Sequence, residues 1–325
     1  MLKIEDKMIE LLRHGVYFSK LKTKTGLCYS DLVGKMHSLE EKGYLIDRIF
    51  NEYGVKYIIG DSRIKPLQDN IEFNTCGKFN FLVIADTHLG NIYEDMDLVY
   101  KCYQYAENND IRYVFHLGDM IEGIALENHT NDRIKRLSVH DQLDYVTRNY
   151  PKSDKITTLY ILGNHDYRCM NKGIDVSRVL ERRRMDMHFL GYKNSKIRIG
   201  NRDILLHHPF TIERPNKYDD EIKDLYMKPD FDLVLRGHTH HNGIYINDMG
   251  SLVVNVPACY KSPSRVYNGI YEMSLRENEI KINSLVVENY PVLFSTLILP
   301  LKQKELIKKI DNPIEKFNNK RNKNK

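Results

Sequence analysis

The 325-residue sequence predicts a mixed α/β protein, with a small helical domain in front of a larger one. Three observations lead there. From Lys78 onward, short apolar runs rich in β-formers alternate with helical stretches. After Gly250 the pattern becomes all-β, with SLVVNV, GIYEMSL and EIKINSLVV. Ahead of both, residues 1–65 read as three helices followed by a hairpin.

The first helix carries Met8, Leu11 and Leu12 at i, i+3 and i+4 and ends before Gly15. A second fits Tyr17 to Thr25, stopped by Gly26. A third starts at Ser30 or Asp31, both good N-caps, with Val33, Met36 and Leu39 on one face, and ends at Gly43. Two β-like runs, Tyr44 to Phe50 and Val55 to Ile59, flank a turn at Asn51, Glu52, Tyr53 and Gly54. This order resembles a winged helix-turn-helix domain, with SDLVGKMHSLEEKGYLIDRI as the recognition helix entering the first wing strand. The resemblance implies either DNA contact, with Lys35, His37 and Ser38 as candidates, or docking of a protein partner. Residues 66–77 (PLQDNIEFNTCG) read as a linker to a main domain over 78–296.

In that domain FLVIAD, YVFHLGD, TLYILGNHD, DILLHH and DLVLRGHTH share one form. Each is an apolar run ending in a cluster of Asp, Asn or His. In α/β proteins, functional groups gather at the carboxyl ends of strands. Carboxylate, imidazole and amide oxygen are the donor set of first-row divalent metals. Asp86/His88 and His238/His240 are i, i+2 pairs, so each pair can face one space. Together with Asp119, Asn164 and a histidine from His207-His208, they are too many ligands for one ion and suit two ions sharing a carboxylate. His116, inside an apolar strand, reads as a hydrogen-bonded core residue. Arg182, Arg183 and Arg184 read equally as a solvated helix face or a phosphate contact.

Composition narrows the setting. The chain has 49 Lys+Arg, 44 Asp+Glu and 42% apolar residues, enough to bury a core. The longest apolar stretch, Val292 to Leu301, is half of the ~20 residues a membrane span needs, so no membrane association is expected. The N-terminus is charged from its third residue and reads as no signal peptide. Five scattered cysteines without a CxxC pair exclude disulfide scaffolding and Cys-type zinc sites, and suit a cytoplasmic location. Residues 302–325 hold nine Lys/Arg against three acids. A short helix over 297–310 and a disordered basic tail are expected there.

The series DxH…GD…GNHD…H…GHxH, over about residues 80–260, resembles the calcineurin-like metallophosphoesterases. The resemblance implies a two-sheet β-sandwich flanked by helices and two divalent ions, Mn²⁺ first, with Fe or Zn as alternatives. Asp86, His88 and His240 would bind one ion, and Asn164, His207 and His238 the other, with Asp119 bridging. His207 is preferred to His208 because the family uses the first histidine of such a pair. A hydroxide held between the ions would attack the phosphoester, and His165 would act on the scissile phosphate. Glu122, where some members carry Asp, is a candidate to orient His165. Asp166 would cap a helix or hold the GNHD loop. Gly163 and Gly237 would permit tight turns.

The resemblance leaves the substrate open. The winged-helix pattern, the basic tail and the spelling ADTHLG, similar to the opening of SbcD-type nucleases, point to a phosphodiesterase or nuclease acting on DNA or RNA. Against this, those nucleases read GDLF followed by His where this chain reads GDMIEG. A general phosphatase or a small-molecule or cyclic-nucleotide phosphodiesterase is the alternative. A DNA-binding regulator with a vestigial phosphoesterase domain is the third reading, opposed by the intact donor set.

Overall fold

The computed structural model describes residues 4–60, 71–75, 77–124, 133–136, 138–209, 231–247, 250–261, 268–285 and 296–301. The chain opens with α1 (Ile4–Arg13), β1 (Val16–Tyr17), α2 (Phe18–Thr25), α3 (Tyr29–Glu41), β2 (Ile46–Asn51), β3 (Gly54–Ile59) and β4 (Ile71–Asn74). It continues with β5 (Phe79–Ile84), α4 (Met96–Asn108), β6 (Tyr113–Leu117), α5 (Val139–Asn149), β7 (Thr157–Leu162), α6 (Asn164–Arg168), α7 (Val176–Arg183) and β8 (Met187–Tyr192). Then follow β9 (Asn194–Ile199), β10 (Arg202–His207), β11 (Leu233–Arg236), β12 (Gly243–Ile246), β13 (Leu252–Asn255), β14 (Ile270–Leu275), β15 (Glu279–Leu285) and β16 (Thr296–Pro300). Nine of the described strands form one sheet, in the order β1-β3-β2-β4-β9-β10-β11-β13-β12, and seven form the other, β16-β15-β14-β5-β6-β7-β8.

Alternation along the central strands sets the layers. Phe79, Phe81 and Val83 of β5 face the first sheet, while Leu82 and Ile84 face the helices. β6 repeats this, with Tyr113, Phe115 and Leu117 on one side and Val114 on the other. A strand buried on both faces belongs between two layers. Ile204, Leu206, Leu235 and Val254 of the first sheet meet one face, and Leu98, Leu143, Val146 and Leu180 of α4, α5 and α7 meet the other. β5, β6, β7 and β8 run parallel, as do β10, β11 and β13. Among the described residues no helix is long and apolar enough to cross a membrane.

Two expectations are corrected here. The linker segment 66–77 contains β4, which pairs in parallel with both β2 and β9. Ile71 and Phe73 point inward and Glu72 and Asn74 outward, a period of two that four residues barely display. The second concerns 297–310, expected as a helix. Residues 296–300 instead form β16, antiparallel to β15. Thr296, Ile298 and Pro300 are exposed, whereas Leu299 and Leu301 pack on the core. That alternation suits a strand. The expected basic tail, 302–325, lies outside the described residues.

The N-terminal helices and hairpin are joined to the main body by sheet, core and polar contacts. Phe50 faces Phe73 across the β2–β4 pair, and Phe73 packs on Phe79 and Tyr113. Arg184 is fully buried, donating to both Asp186 oxygens (2.8 and 2.6 Å) and to the Tyr150 and Pro151 carbonyls (2.9 and 2.7 Å). Tyr29 of α3 donates its hydroxyl to the same Asp186 (2.6 Å). Arg184 is thus neither a solvated residue nor a phosphate contact. Arg183 is exposed and paired with Asp144 at 2.5 Å. Tyr113, at the start of β6, donates to the Asn51 carbonyl (2.6 Å), and Tyr57 donates to the Met185 carbonyl just before β8 (3.0 Å). The N-terminal unit therefore sits at the entering ends of these strands.

Candidate metal centre

Loops leaving β5, β6, β7, β10 and β11 meet at the opposite end. Seven described non-glycine residues have positive φ, and five of them are Asp86, His88, Asp119, His238 and His240. Such backbone costs of order 1 kcal/mol or more per residue and persists where its surroundings enforce it. The sharp turns aim these side chains into one space. Glycines let the loops touch. A Cβ on Gly118 (φ 88°) would lie 2.6 Å from the Gly163 nitrogen, one on Gly163 would lie 2.2 Å from Asp119 Oδ1, and one on Gly237 would lie 2.7 Å from the Leu117 carbonyl.

Three groups of described side chains converge, two of them on the expected donors and the third made of His88, Glu122 and His165. Asp86, His88 and His240 bring one donor atom each to within 4.8 Å of one another. His240 Nε2 is 3.1 Å from Asp86 Oδ1 and 3.3 Å from His88 Nε2. Asp119, His208 and His238 form the second cluster on the same criterion. Asn164 Oδ1 joins it, 3.1 Å from His208 Nε2 and 3.0 Å from His238 Nδ1. Asp119 Oδ2 lies between the clusters, 3.3 Å from His208 Nε2 and 3.8 Å from His88 Nε2.

His207 is the misplaced candidate: the structure brings His208 to the site in its stead. Strand alternation is the reason. Ile204 and Leu206 of β10 face the inter-sheet core and His208 follows their parity, whereas His207 follows Leu205 to the other face. His208 Nδ1 donates to the Leu117 carbonyl at 2.6 Å, which fixes the ring and directs Nε2, the atom free to ligate once deprotonated, toward Asp119 and Asn164.

The cluster attracts positive charge. Burial opposes a charge on His208, but Asp119 and Asp86 outweigh it and raise its pKa to about 9. Burial likewise opposes a charge on His88, and Glu122, Asp119 and Asp86 raise it to about 8. Asp86 is pulled down to about 2, since His240 and His208 overcome its burial. Asp119 is held well below the carboxylate range by His208 and His165, again against burial. Burial pushes His238 down to about 4, leaving a neutral imidazole. The ionised carboxylates hold protons on His88 and His208 where cations would sit; divalent ions displacing those protons would meet carboxylate and imidazole donors converging, so the residues present fit two such ions.

His165 and Glu122 differ from expectation. His165 Nδ1 donates to the backbone carbonyl of Glu122 at 2.8 Å, leaving Nε2 facing Asp119 Oδ2 at 4.0 Å. The Glu122 carboxylate serves both rings: Oε2 accepts from His88 Nδ1 at 3.0 Å, and Oε1 lies 3.8 Å from His165 Nδ1. Burial lowers the His165 pKa despite Asp119. Asp166 accepts three backbone N–H bonds, from Met120, Ile121 and Gly163 (3.0–3.1 Å), and so ties the β6 loop to the β7 loop. Burial and the nearby Asp119 push its pKa up to about 7, against those three donors. His116 is buried and bonded to the Thr87 hydroxyl at 3.0 Å.

A cavity of about 240 Å³ opens over the clusters. It adds Asn91, Arg133 and Tyr260, which the sequence reading missed. The Tyr260 ring packs on His88 and His240, at 5.0 and 5.2 Å between centroids. Tyr260 follows β13, whose polar cluster lacks the Asp/His signature, and Arg133 belongs to a loop without a motif. Lys35, His37 and Ser38 sit apart, on α3. Lys35 is exposed and Ser38 half-buried, while His37 is engaged by Glu40 (3.2 Å) and by the Arg182 carbonyl (3.1 Å).

The family model of the calcineurin-like phosphoesterase superfamily domain matches residues 79–263. No curated protein matches the chain. Solved structures similar to it include a dimetal phosphatase from Danio rerio, 11% identical, covering 69% of this chain and 99% of that one at a TM-score of 0.45. Vacuolar protein sorting 29 from Cryptosporidium parvum is 15% identical, with 70% and 100% covered and a TM-score of 0.40. An archaeal phosphodiesterase is also 15% identical, with 69% and 100% covered and a TM-score of 0.37. With the family model spanning more than half of its length, and with the candidate groups for divalent metal ions inside the matched segment, the chain belongs to the calcineurin-like phosphoesterase superfamily and is a hydrolase of phosphoester bonds.

Proposed function

We propose that this hydrolase is a phosphodiesterase working with two divalent cations, Mn²⁺ first among them. Asp86, His88 and His240 would hold one cation, and Asn164, His208 and His238 the other, with Asp119 shared. The observation that carries this reading is the Asp119 carboxylate, set between two convergent clusters. Bound cations supply Lewis acidity and a water acidified to a pKa of ~7. The chain's own part is orientation and proton handling. The Leu117 carbonyl aims His208, the Glu122 carboxylate aims His88, and the Glu122 carbonyl aims His165. His165 Nε2 faces the cavity, where it can take up a proton and pass it to the leaving ester oxygen.

Nucleic acid is the second reading of the substrate. It is favoured by ADTHLG and by the basic tail. The α3 face lends it little support, because Tyr29 and His37 are both engaged by the main body. Protein docking by the N-terminal unit is the matching proposal for that domain.

The test is hydrolysis of bis-p-nitrophenyl phosphate, with Mn²⁺ required. Asp119→Asn and His208→Ala should each lower turnover by ~100-fold or more and reduce bound metal. Absence of activity with every one of Mn, Fe, Co, Ni and Zn would remove the proposal. A panel of single-stranded DNA, duplex DNA, RNA, cyclic dinucleotides and phosphomonoesters then ranks the substrate classes.

A further inference from the structure

We propose that Arg133 is the phosphate-anchoring side chain of the catalytic cavity, gripping a non-bridging oxygen of the substrate. The inference rests on the phosphoesterase reading of that cavity and names a residue outside the metal clusters. Among the described lining residues Arg133 is the one Arg or Lys.

The loop that carries it explains why. Residues 133–136 read Arg-Ile-Lys-Arg, three cations in four positions. Two are neutralised by one acid: Lys135 reaches Glu94 Oε1 at 3.0 Å, and Arg136 grips both Glu94 oxygens at 2.8 and 2.6 Å. Among the described residues the Arg133 guanidinium has no such carboxylate, and its side chain is exposed at the cavity. The backbone is fastened independently. The Ile92 N–H donates to the Arg133 carbonyl (2.9 Å), the Lys135 and Arg136 N–H groups donate to the Gly90 carbonyl (2.7 and 3.1 Å), and buried Gln142 holds the Arg136 carbonyl (2.9 Å). These bonds do not involve the Arg133 side chain, so the loop presents it without depending on it.

A guanidinium suits this role. It is always charged, and its planar fork matches two phosphate oxygens at once. The cavity walls otherwise offer imidazoles, carboxylates, one amide and one phenol. A positioned guanidinium therefore adds a permanently charged, two-pronged donor that no other described lining side chain supplies.

The experiment compares wild type, Arg133→Ala, Arg133→Lys and Lys135→Ala, each loaded with Mn²⁺. Calorimetric titration with inorganic phosphate reads binding without turnover, and bis-p-nitrophenyl phosphate hydrolysis reads KM and kcat. Arg133→Ala should weaken phosphate binding and raise KM by on the order of tenfold, with a smaller change in kcat. Arg133→Lys should recover part of the loss, and Lys135→Ala should match wild type. Unchanged phosphate affinity and KM in a folded Arg133→Ala protein would overturn the anchor. An equal loss in Lys135→Ala would also overturn it, by pointing to diffuse charge. A wild type that binds Mn²⁺ and phosphate through Arg133 yet hydrolyses no ester would leave the anchor standing and sink the phosphodiesterase reading.

Discussion

Glu122 orients two imidazoles with two different atoms, its carboxylate on His88 and its carbonyl on His165. Replacing the carboxylate leaves the carbonyl in place, so the hydrogen bond to His165 outlasts the loss of charge. Glu122→Gln should keep the hydrogen bond that aims His165, remove the carboxylate charge 3.8 Å from its Nδ1, and weaken the support of His88. Loss of such a supporting partner typically costs 10- to ~100-fold in metal affinity. The expected outcome is low turnover at limiting Mn²⁺, restored by excess metal, checked by metal titration of activity. The donor types were legible in the sequence because each sits at the exit of an apolar strand. The choice between His207 and His208 was not, because Asp203 to His208 is buried on both faces and carries no parity mark. Tyr260 and Arg133 carry no spacing signal at all.

At the level of elements, the junction of α3 with the segment between α7 and β8 is the most informative. Arg184, Asp186 and Tyr29 form one buried network. Burial and the Asp186 carboxylate hold the Tyr29 hydroxyl well above its ordinary range, so it remains a donor. Removing one member of a buried ion pair strands the other. Arg184→Met should therefore destabilise the fold by about 3–5 kcal/mol, and Tyr29→Phe by about 1.5 kcal/mol, both measured by urea unfolding. Sequence reading placed the three N-terminal helices and the strands β5, β6, β7 and β10 close to their observed bounds, and left α4 to α7 without ranges. It missed β4, β8, β9, β12 and β16, since a period of two shows poorly in runs of four to six residues. It missed the burial of Arg184 because nothing in an Arg-Arg-Arg run marks which side chain turns inward.

For the whole molecule, continuity of the first sheet governs what can be cut. β1, β3 and β2 extend the sheet that also holds β9, β10 and β11, and Met8, Leu12 and Leu32 share a core cluster with Phe81 and Phe115. Deleting the N-terminal unit is the direct way to ask whether it selects the substrate. The structure predicts aggregation instead. A protein lacking residues 1–60 would expose Phe73, Tyr113 and Met185 and an open β4 edge, an invitation to aggregation. Light scattering and thermal melts should show aggregation together with loss of activity even on a small model diester. A soluble, fully active fragment would contradict the shared core. Point substitutions on the exposed face of α3 are the better probe of what the N-terminal unit binds.

The placement of that unit has one more consequence. It grips the strands where they enter the sheet, and the Asp and His turns lie where the same strands leave. A partner that seized the N-terminal unit would leave the catalytic mouth uncovered. Attachment through that unit, were a partner to use it, would therefore not compete with substrate for the mouth.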